Sequence, residues 1–293
     1  EQNINMPIHI TGTGSFIPEN KVDNNSFLNK EFFDKDGNPY PNSNQEIIEK
    51  FEAITGIKER RYADKEHTNS DLAAFAAAEA IKDAKIDKES IDYIIVAHNF
   101  GNIEYGTNQY ISLPSVATLV KHKLEISNEN CVAYDLIFGC PGWIEGVIQA
   151  KSFIISKMAK RCLVIGADTL SRTIDKSDRD SMIFADGAGA SIIEEKNNLG
   201  GILSHKTITK AGKEALYLFC KESYSPQNKE NIKHIKMNGR KVYEFAISNI
   251  PGALKACLEE SGKSIDDVKK IFLHQANEKL DEAVLKYFYK QYD

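Results

Sequence analysis

The chain has 293 residues, which is enough for one large domain or two closely joined halves. Lysine and arginine total 37 against 42 aspartate and glutamate, so the net charge is −5. A mildly acidic chain without a basic block is a poor binder of nucleic acid and of anionic membranes. No apolar run approaches the roughly 20 residues that cross a bilayer, and the polar residues 1–7 do not resemble a signal peptide.

Short apolar runs alternate with longer helical patterns, which predicts an α/β fold with layered sheets and helices. The predicted strands are continuous apolar runs, typical of strands covered on both faces, and span residues 8–10, 93–97, 131–137, 162–167, 189–193 and 271–273. The predicted helices span residues 69–84, 114–122, 141–158, 239–261 and 278–289. Two polar stretches, 33–45 and 223–234, are interpreted as surface excursions.

A faint internal repeat suggests two related halves. Ser90-Ile91-Asp92 precedes the strand 93–97 and then His98-Asn99, whereas Ser264-Ile265-Asp266 precedes the run 271–273 and then His274-Gln275. The shared order of helix, turn, strand and histidine indicates a duplicated half. Such halves would bring equivalent strand ends to one central cleft.

The five cysteines are odd in number and widely spaced. No C-x-x-C pair is present, which argues against a zinc site or a dithiol redox motif. The chain is therefore interpreted as reduced and cytoplasmic, with no metal expected.

Cys140 is the strongest candidate nucleophile. It follows the buried strand 131–137 after Phe138 and Gly139, and it precedes Pro141, a residue favoured at the first position of a helix. This pattern predicts Cys140 at the helix N-cap, where the helix dipole and free backbone N–H groups favour the thiolate. The alternative is a small buried hydrophobic residue, which is the reading we favour for Cys131 and Cys162.

Glycines indicate close packing at three places. Gly142, Gly146 and Ala150 recur at every fourth residue and predict a smooth helix stripe that lies close against other backbone. Residues 11–14 and 186–190 contain two glycines each but lack the dinucleotide-binding spacing, so they are interpreted as structural.

His274 follows a predicted strand and is itself followed by Gln275-Ala276-Asn277. A histidine at a strand end near a cleft can polarise a carbonyl or move a proton. A hydrogen-bonded structural histidine fits this position equally well.

Several collinear motifs together resemble the 3-oxoacyl-acyl-carrier-protein synthase III family, the initiating ketosynthases of fatty acid synthesis. They are the nucleophile turn at 135–142, the runs 166–172 and 178–179, the strand 184–190, the segment 237–243 and the His motif at 274–277. This resemblance implies a thiolase-like fold with two pseudo-symmetric halves in five layers, α/β/α/β/α, and normally a homodimer. The expected halves are 6–194, with the nucleophile, and 195–293, with the His motif and without the closing strands.

The resemblance implies an acyltransferase. An acyl group passes to Cys140, and His274 then helps a malonyl-carrier lose CO2 before the condensation that yields 3-oxoacyl-acyl-carrier protein. The partners implied are acyl-carrier protein and acyl and malonyl thioesters, and no further cofactor is expected. The third catalytic residue of the family, an asparagine, is expected beyond Asp293.

The binding residues that the resemblance implies are Arg179, against the adenine of coenzyme A, and the segment that holds Gln275, Ala276, Asn277, Glu278 and Lys279. Lys50 and Ile54 stand where the family carries a tryptophan and an arginine that hold coenzyme A. This departure predicts that acyl chains arrive on carrier protein, at a basic patch with Lys279, Arg240 and Lys241.

Three alternatives stay open at this stage. One is a specialised relative that condenses carrier-bound chains for a secondary product, as the dialkylresorcinol-forming ketosynthases do. Another is a non-catalytic partner subunit, against which the retained Cys140 and His274 argue. A degradative thiolase is less favoured, because its second cysteine motif is not visible in the sequence.

Overall fold

The structure is a computed structural model that describes residues 7–107, 109–197 and 200–292. Its strands are β1 (Ile8–Phe16), β2 (Asn20–Asp23), β3 (Glu59–Tyr62), β4 (Tyr93–His98), β5 (Asn102–Ile103), β6 (Tyr110–Ile111), β7 (Val132–Ile137), β8 (Arg161–Thr169), β9 (Asp186–Glu195), β10 (Leu218–Lys221) and β11 (His234–Met237). Its α-helices are α1 (Asn44–Thr55), α2 (Asn69–Ala84), α3 (Val116–Lys123), α4 (Gly142–Ile155), α5 (Gly239–Glu260) and α6 (Glu278–Tyr289).

The chain divides into two compact units that interleave along the sequence. The first comprises the described residues of Glu1–Asn20, Arg61–Arg172 and Ala185–Leu203. The second comprises those of Lys21–Arg60, Thr173–Phe184 and Ser204–Asp293. The duplicated halves 6–194 and 195–293 stay a prediction.

The first unit is built on a five-stranded mixed sheet in the order β1-β9-β8-β4-β7. β4 runs parallel to both β7 and β8, whereas β9 runs antiparallel to β8 and β1. Parallel neighbours end at the same edge of a sheet. The segments that follow β4 and β7, and the last residues of β8, therefore lie at one edge.

Helices cover both faces of this sheet. Ile94 and Val96 of β4 pack with the alanine-rich face of α2 and with α3, whereas Ile95, which points to the other face, packs with α4. Successive strand side chains point to opposite faces of the sheet, so each face packs against its own helices. The unit therefore has an α/β/α arrangement. It confirms that β4 and β8 are covered on both faces, as their continuous apolar sequences predict.

Two glycines in β1 allow α2 to approach the strand backbone. A Cβ on Gly12 would lie 2.5 Å from the Ala80 carbonyl oxygen, and one on Gly14 would lie 2.2 Å from the Ala76 carbonyl oxygen. The structural interpretation of residues 11–14 is thus confirmed. These residues lie inside β1, which continues beyond the predicted span 8–10 to Phe16.

The smooth stripe of α4 likewise rests directly on the sheet. A Cβ on Gly142 would lie 2.8 Å from the Ala97 Cβ, and one on Gly146 would lie 2.7 Å from the Val164 Cγ1. Ala150, one turn further on, is fully buried. The predicted close approach is confirmed.

The second unit contains a small apolar cluster and a packed helix pair. Phe27, Phe32, Ile47, Ile48 and Met182 form the cluster, and α5 packs against α6. A capping box at Ser43 and Glu46 begins α1. The interpretation of 33–45 as an irregular surface segment is wrong at both ends of that segment, because Phe33 is buried and Asn44 begins α1.

The predicted strand 271–273 is not a strand in the structure. A strand needs a hydrogen-bonded neighbour, and among the described residues no ladder includes this run. Phe272 is 87% exposed. The apolar pattern was therefore not sufficient to define a strand here.

Among the described residues, no helix is long and apolar enough to span a bilayer. The same part of the chain contains no group of three or more histidine, cysteine, aspartate or glutamate side chains arranged to hold a metal ion.

Candidate active site

Cys140 lies in the turn between β7 and α4. The Gly142 N–H donates to the Gly139 carbonyl at 2.8 Å, which places Cys140 inside this turn. Pro141 is the N-cap of α4, with φ −83° and ψ 12°, and the Glu145 N–H donates to its carbonyl. The prediction that Cys140 is the N-cap of α4 is therefore wrong by one residue. Pro141 takes that position, and Cys140 lies inside the turn that the Gly142–Gly139 hydrogen bond closes.

The Cys140 side chain is exposed, yet its electrostatic surroundings disfavour the thiolate. Burial by neighbouring atoms raises the pKa of the thiol, and the Asp168 carboxylate raises it further, against the lowering effect of the backbone N–H of Cys140 itself. The expected stabilisation of the thiolate by backbone N–H groups is present but is outweighed by desolvation. Desolvation and a nearby negative charge both work against a second negative charge.

Two polar side chains lie beside this turn. Asn99, which follows β4, donates from its backbone N–H to Asp168 Oδ1 at 3.0 Å and from its side-chain Nδ2 to Asp168 Oδ2 at 2.7 Å. A Cβ on Gly139 would lie 4.0 Å from Asn99 Oδ1. Burial raises the pKa of Asp168 to about 6, although the Asn99 hydrogen bonds oppose this rise.

His98 is a fully hydrogen-bonded structural histidine. Its Nδ1 accepts from the Gly101 N–H at 2.8 Å, so Nε2 carries the proton and donates to Asp135 Oδ2 at 2.8 Å. The Asp135 carboxylate also accepts the backbone N–H groups of Val116 and Ala117 at the start of α3. This chain of hydrogen bonds fixes β4, β7 and α3 together.

His274 lies in an irregular segment just before α6 rather than at the end of a strand. His274 is exposed, but neighbouring atoms desolvate its imidazole and lower its pKa, and the Asp281 carboxylate opposes this effect. The neutral imidazole is therefore favoured. Its carbonyl accepts the Ala276 N–H at 2.9 Å, which folds the motif back into a turn.

The remaining residues of the His motif begin α6. The Asn277 side chain caps the helix by accepting the Leu280 N–H at 2.9 Å. The Glu278 carboxylate faces Gly56, because a Cβ there would lie 2.7 Å from Glu278 Oε2. Lys279 is exposed and pairs with Glu282 at 3.1 Å, and Gln275 is also exposed.

Arg179 begins a short 3-10 helix, Arg179–Ile183, in the second unit. Its guanidinium carbon lies 4.5 Å from the centre of the Tyr40 ring, and its Nε lies 3.8 Å from Asp180 Oδ1. One face of the guanidinium is thus already stacked on an aromatic side chain.

The candidate residues fall into three groups. Cys140 lies in the first unit beside Asn99 and Asp168, whereas His274, Gln275, Ala276, Asn277, Glu278 and Lys279 form one continuous segment of the second unit. Arg179 also belongs to the second unit, with Tyr40 as its neighbour.

Sequence reasoning missed Asn99, Asp168 and Tyr40 as site residues. Asn99 and Asp168 carried a usable signal, since each is polar and lies at the carboxyl end of a predicted buried strand. Side chains at that edge of adjacent parallel strands meet. Tyr40 lies in a polar loop and carries no comparable pattern.

The chain matches known proteins over nearly its whole length. Residues 134–211 match the family model of 3-oxoacyl-[acyl-carrier-protein] synthase III. The beta-ketoacyl-[acyl-carrier-protein] synthase III of Oceanobacillus iheyensis is 38% identical over 280 residues, which cover 95% of this chain and 79% of that protein. The enzyme of the same name from Fusobacterium nucleatum is 36% identical, with 95% and 80% covered.

Solved structures agree with the sequence relatives. The 3-oxoacyl-[acyl-carrier-protein] synthase III of Aquifex aeolicus superposes with a TM-score of 0.79 at 29% identity, over 96% of this chain and 81% of that one. The thiolase-like fold class predicted from the sequence is thereby confirmed.

Proposed function

The chain belongs to the beta-ketoacyl-[acyl-carrier-protein] synthase III family, and we propose that it is an initiating condensing enzyme in which Cys140 accepts the acyl group. The observation that carries this proposal is the exposed Cys140 thiol in the tight turn between β7 and α4. It lies at the edge of the buried sheet, directly before a helix that packs on that sheet.

The first half-reaction is a thioester exchange. The Cys140 sulfur attacks the carbonyl carbon of the donor thioester, and the donor thiol leaves with the proton that Cys140 gives up. Because the pKa of Cys140 is raised, the thiol form dominates before the donor binds. Loss of that proton therefore accompanies donor binding or attack rather than preceding it.

The second half-reaction joins two acyl units. Malonyl-acyl-carrier protein loses CO2, the resulting carbanion attacks the carbonyl of the acyl-cysteine, and the Cys140 thiolate leaves to release 3-oxoacyl-acyl-carrier protein. His274 donates a hydrogen bond to the thioester oxygen as negative charge develops there. A neutral imidazole suits this role, and desolvation by neighbouring atoms lowers the pKa of His274 in that direction.

The donor surface for carrier protein is proposed around α5 and α6. Arg240 and Lys241 lie in the first turn of α5, and both pair with Glu244. Lys279 pairs with Glu282 and remains exposed. These local pairs are weak in water, so an acidic partner surface can compete for the three basic side chains.

We also propose that the protein is a homodimer formed through β7. β7 is an edge strand of the five-stranded sheet, with β4 as its hydrogen-bonded neighbour. Val132 and Ile137 of this strand are 46% and 68% exposed. An apolar edge strand presents unpaired backbone groups, and a second copy of β7 can pair with them. Light scattering of the wild type and of Ile137→Lys tests this, and a monomeric wild type would refute it.

A cytoplasmic location is proposed because all five cysteines are free thiols.

Intact-protein mass spectrometry tests the central proposal. The full chain is incubated with acetyl, longer acyl and branched acyl thioesters on carrier protein and on coenzyme A. One acyl adduct is expected in the wild type and in Cys220→Ser, which removes another exposed thiol, and none is expected in Cys140→Ser. An adduct that persists on another cysteine of a folded Cys140→Ser protein would refute the assignment.

A further inference from the structure

A polar cluster lies beneath the nucleophile turn and has no part in the two half-reactions above. It gathers at the edge of the first-unit sheet where β4, β7 and β8 end. Asn99 follows β4, Asp168 is the penultimate residue of β8, and the turn with Cys140 follows β7.

The contacts within this cluster are specific. Asn99 holds Asp168 with two hydrogen bonds, at 3.0 Å and 2.7 Å, one to each carboxylate oxygen. The other side-chain atom of Asn99, Oδ1, faces Gly139. The Phe138 N–H donates to the His98 carbonyl at 3.2 Å. The residues directly before Cys140 are thus held by the segment that also holds Asp168.

The charges around Asp168 are few. His98 of β4 lies nearby, but its Nδ1 accepts the Gly101 N–H and its Nε2–H is donated to Asp135 of β7, so the neutral ring supplies no positive charge. Cys140 lies in the turn before α4, one residue after Gly139, and the Asp168 charge raises the pKa of its thiol. The β9 residue opposite Asp168 is Gly187, which carries no charge, and the α2 side chain that contacts this end of β8 is the amide of Asn69.

We propose that Asp168, clamped by Asn99, is a positioning residue whose charge controls the reactivity of the Cys140 thiol. When the carboxylate is ionised, its negative charge disfavours the thiolate of Cys140. Alkylation and oxidation both proceed through the thiolate. The ionised carboxylate therefore makes the Cys140 thiol less reactive toward alkylating agents and oxidants.

This inference rests on the proposed function only in taking Cys140 as the catalytic nucleophile. Thiol reactivity is measurable in a protein that condenses nothing, so the two proposals fail separately. If no acyl donor labels Cys140 while the variants below still differ in alkylation, the proposed function fails and this inference stands.

The experiment measures the rate of Cys140 alkylation by iodoacetamide as a function of pH. The full chain carries Cys220→Ser, and peptide mass spectrometry assigns the label to Cys140. Asp168→Asn should shift the midpoint of the alkylation profile to lower pH and speed reaction with hydrogen peroxide at neutral pH. Asp168→Glu retains the charge and should restore a midpoint closer to that of the wild type.

Asp186→Asn is the matched control. Asp186 is a buried carboxyl on the neighbouring strand β9, opposite Thr169, and burial also raises its pKa. It accepts hydrogen bonds from Ser171 and Ala63. A merely structural role of buried carboxylates would predict the same effect for both substitutions. We expect no shift of the Cys140 midpoint in this variant.

A second variant keeps the test decisive if Asp168→Asn does not fold, as judged by circular dichroism. Asn99→Ala retains the carboxyl but removes one hydrogen bond to its ionised form, so the pKa of Asp168 should rise. Alkylation of Cys140 should then be faster near neutral pH than in the wild type. Unchanged midpoints in a folded Asp168→Asn or Asn99→Ala protein, or an equal shift in Asp186→Asn, would overturn the proposal.

Discussion

The guanidinium of Arg179 stacks on the ring of Tyr40, with 4.5 Å between the guanidinium carbon and the ring centre. Burial raises the pKa of Tyr40 although the positive charge of Arg179 opposes this, so the neutral phenol is favoured. Tyr40 thus takes up one side of this guanidinium, which the resemblance places against the adenine of coenzyme A. Lys50 and Ile54, in α1, supply no aromatic ring for a second stacking layer.

We predict that acyl groups load onto Cys140 faster from carrier protein than from coenzyme A. Stacking on a base is worth about 1–3 kcal/mol, so one missing layer weakens coenzyme A binding by about one to two powers of ten. Loading rates with the same acyl group on both donors measure the preference. Faster loading from acetyl-coenzyme A would contradict it and would favour the plain initiating enzyme over the specialised carrier-dependent relative.

Two substitutions distinguish residues that contact coenzyme A from residues that contact carrier protein. Arg179→Ala should slow loading from coenzyme A more than loading from carrier protein. Arg240→Ala, which removes a side chain that is 87% exposed, should slow only loading from carrier protein, and more so at low salt because exposed charges are screened by salt. Equal effects of both substitutions on both donors would contradict the assignment.

His274→Ala is predicted to separate acylation from decarboxylation. The Cys140 adduct should still form, whereas CO2 release from malonyl-carrier protein should fall by about 10²–10³-fold, since one oxyanion donor is worth about 3–4 kcal/mol. His205→Ala is the control, because this exposed histidine of the second unit lies outside the motif. Unchanged CO2 release in a folded His274→Ala protein would remove His274 from the mechanism.

The pH dependence of decarboxylation should report the same imidazole. The hydrogen bond to the thioester needs no added proton, and desolvation by neighbouring atoms lowers the pKa of His274 from the ordinary value of 6.5. Acidification to pH 6.5 should therefore leave decarboxylation largely intact, with the loss at lower pH. Asp281→Asn removes the carboxylate that opposes this shift and should move the loss to still lower pH. A loss that begins above pH 6.5, or moves upward in Asp281→Asn, would contradict this assignment.

The sequence predicted the central strands of the sheet well, because a strand covered on both faces must be apolar at every position. β4 and β8 are observed within one or two residues of prediction, and α2 and α6 have the predicted bounds. The run 271–273 failed because strand formation depends on a neighbouring strand, which a local pattern does not reveal.

The candidate nucleophile was predictable, but its electrostatics were not. The order of strand, turn, proline and helix placed Cys140 within one residue of its observed position. Desolvation by neighbouring atoms raises the pKa of Cys140, and the Asp168 charge adds to this rise. Asp168 is distant in sequence and reaches this edge of the sheet through the pairing of β8 with β4. Such long-range charge effects follow from the fold rather than from the local motif.

Lys236→Ala is predicted to destabilise the second unit by about 3–5 kcal/mol, because it leaves two buried carboxylates without their cation. Lys236 is fully buried and its Nζ lies 2.5 Å from Asp175 Oδ2 and 3.2 Å from Asp178 Oδ2. Lys233→Ala is the control, since its ion pair with Glu222 is exposed, and it should leave the unfolding midpoint unchanged. Urea unfolding of both variants measures the difference, and equal midpoints would contradict the proposed importance of the buried cluster.

Because α4 lies close to the sheet, glycine-to-alanine substitutions should have opposite effects on stability in α4 and in α5. In Gly146→Ala the new methyl would lie 2.7 Å from Val164 Cγ1, and such overpacking costs about 1–3 kcal/mol. The displaced helix should also slow acylation of Cys140 at its start. In Gly252→Ala, within α5, the new methyl meets nothing within 4 Å, so the higher helix propensity of alanine should stabilise the protein by up to about 1 kcal/mol. Thermal unfolding and acylation rates of the two variants provide the comparison. A stabilised Gly146→Ala protein with a normal acylation rate would show that α4 can move without disturbing the nucleophile turn.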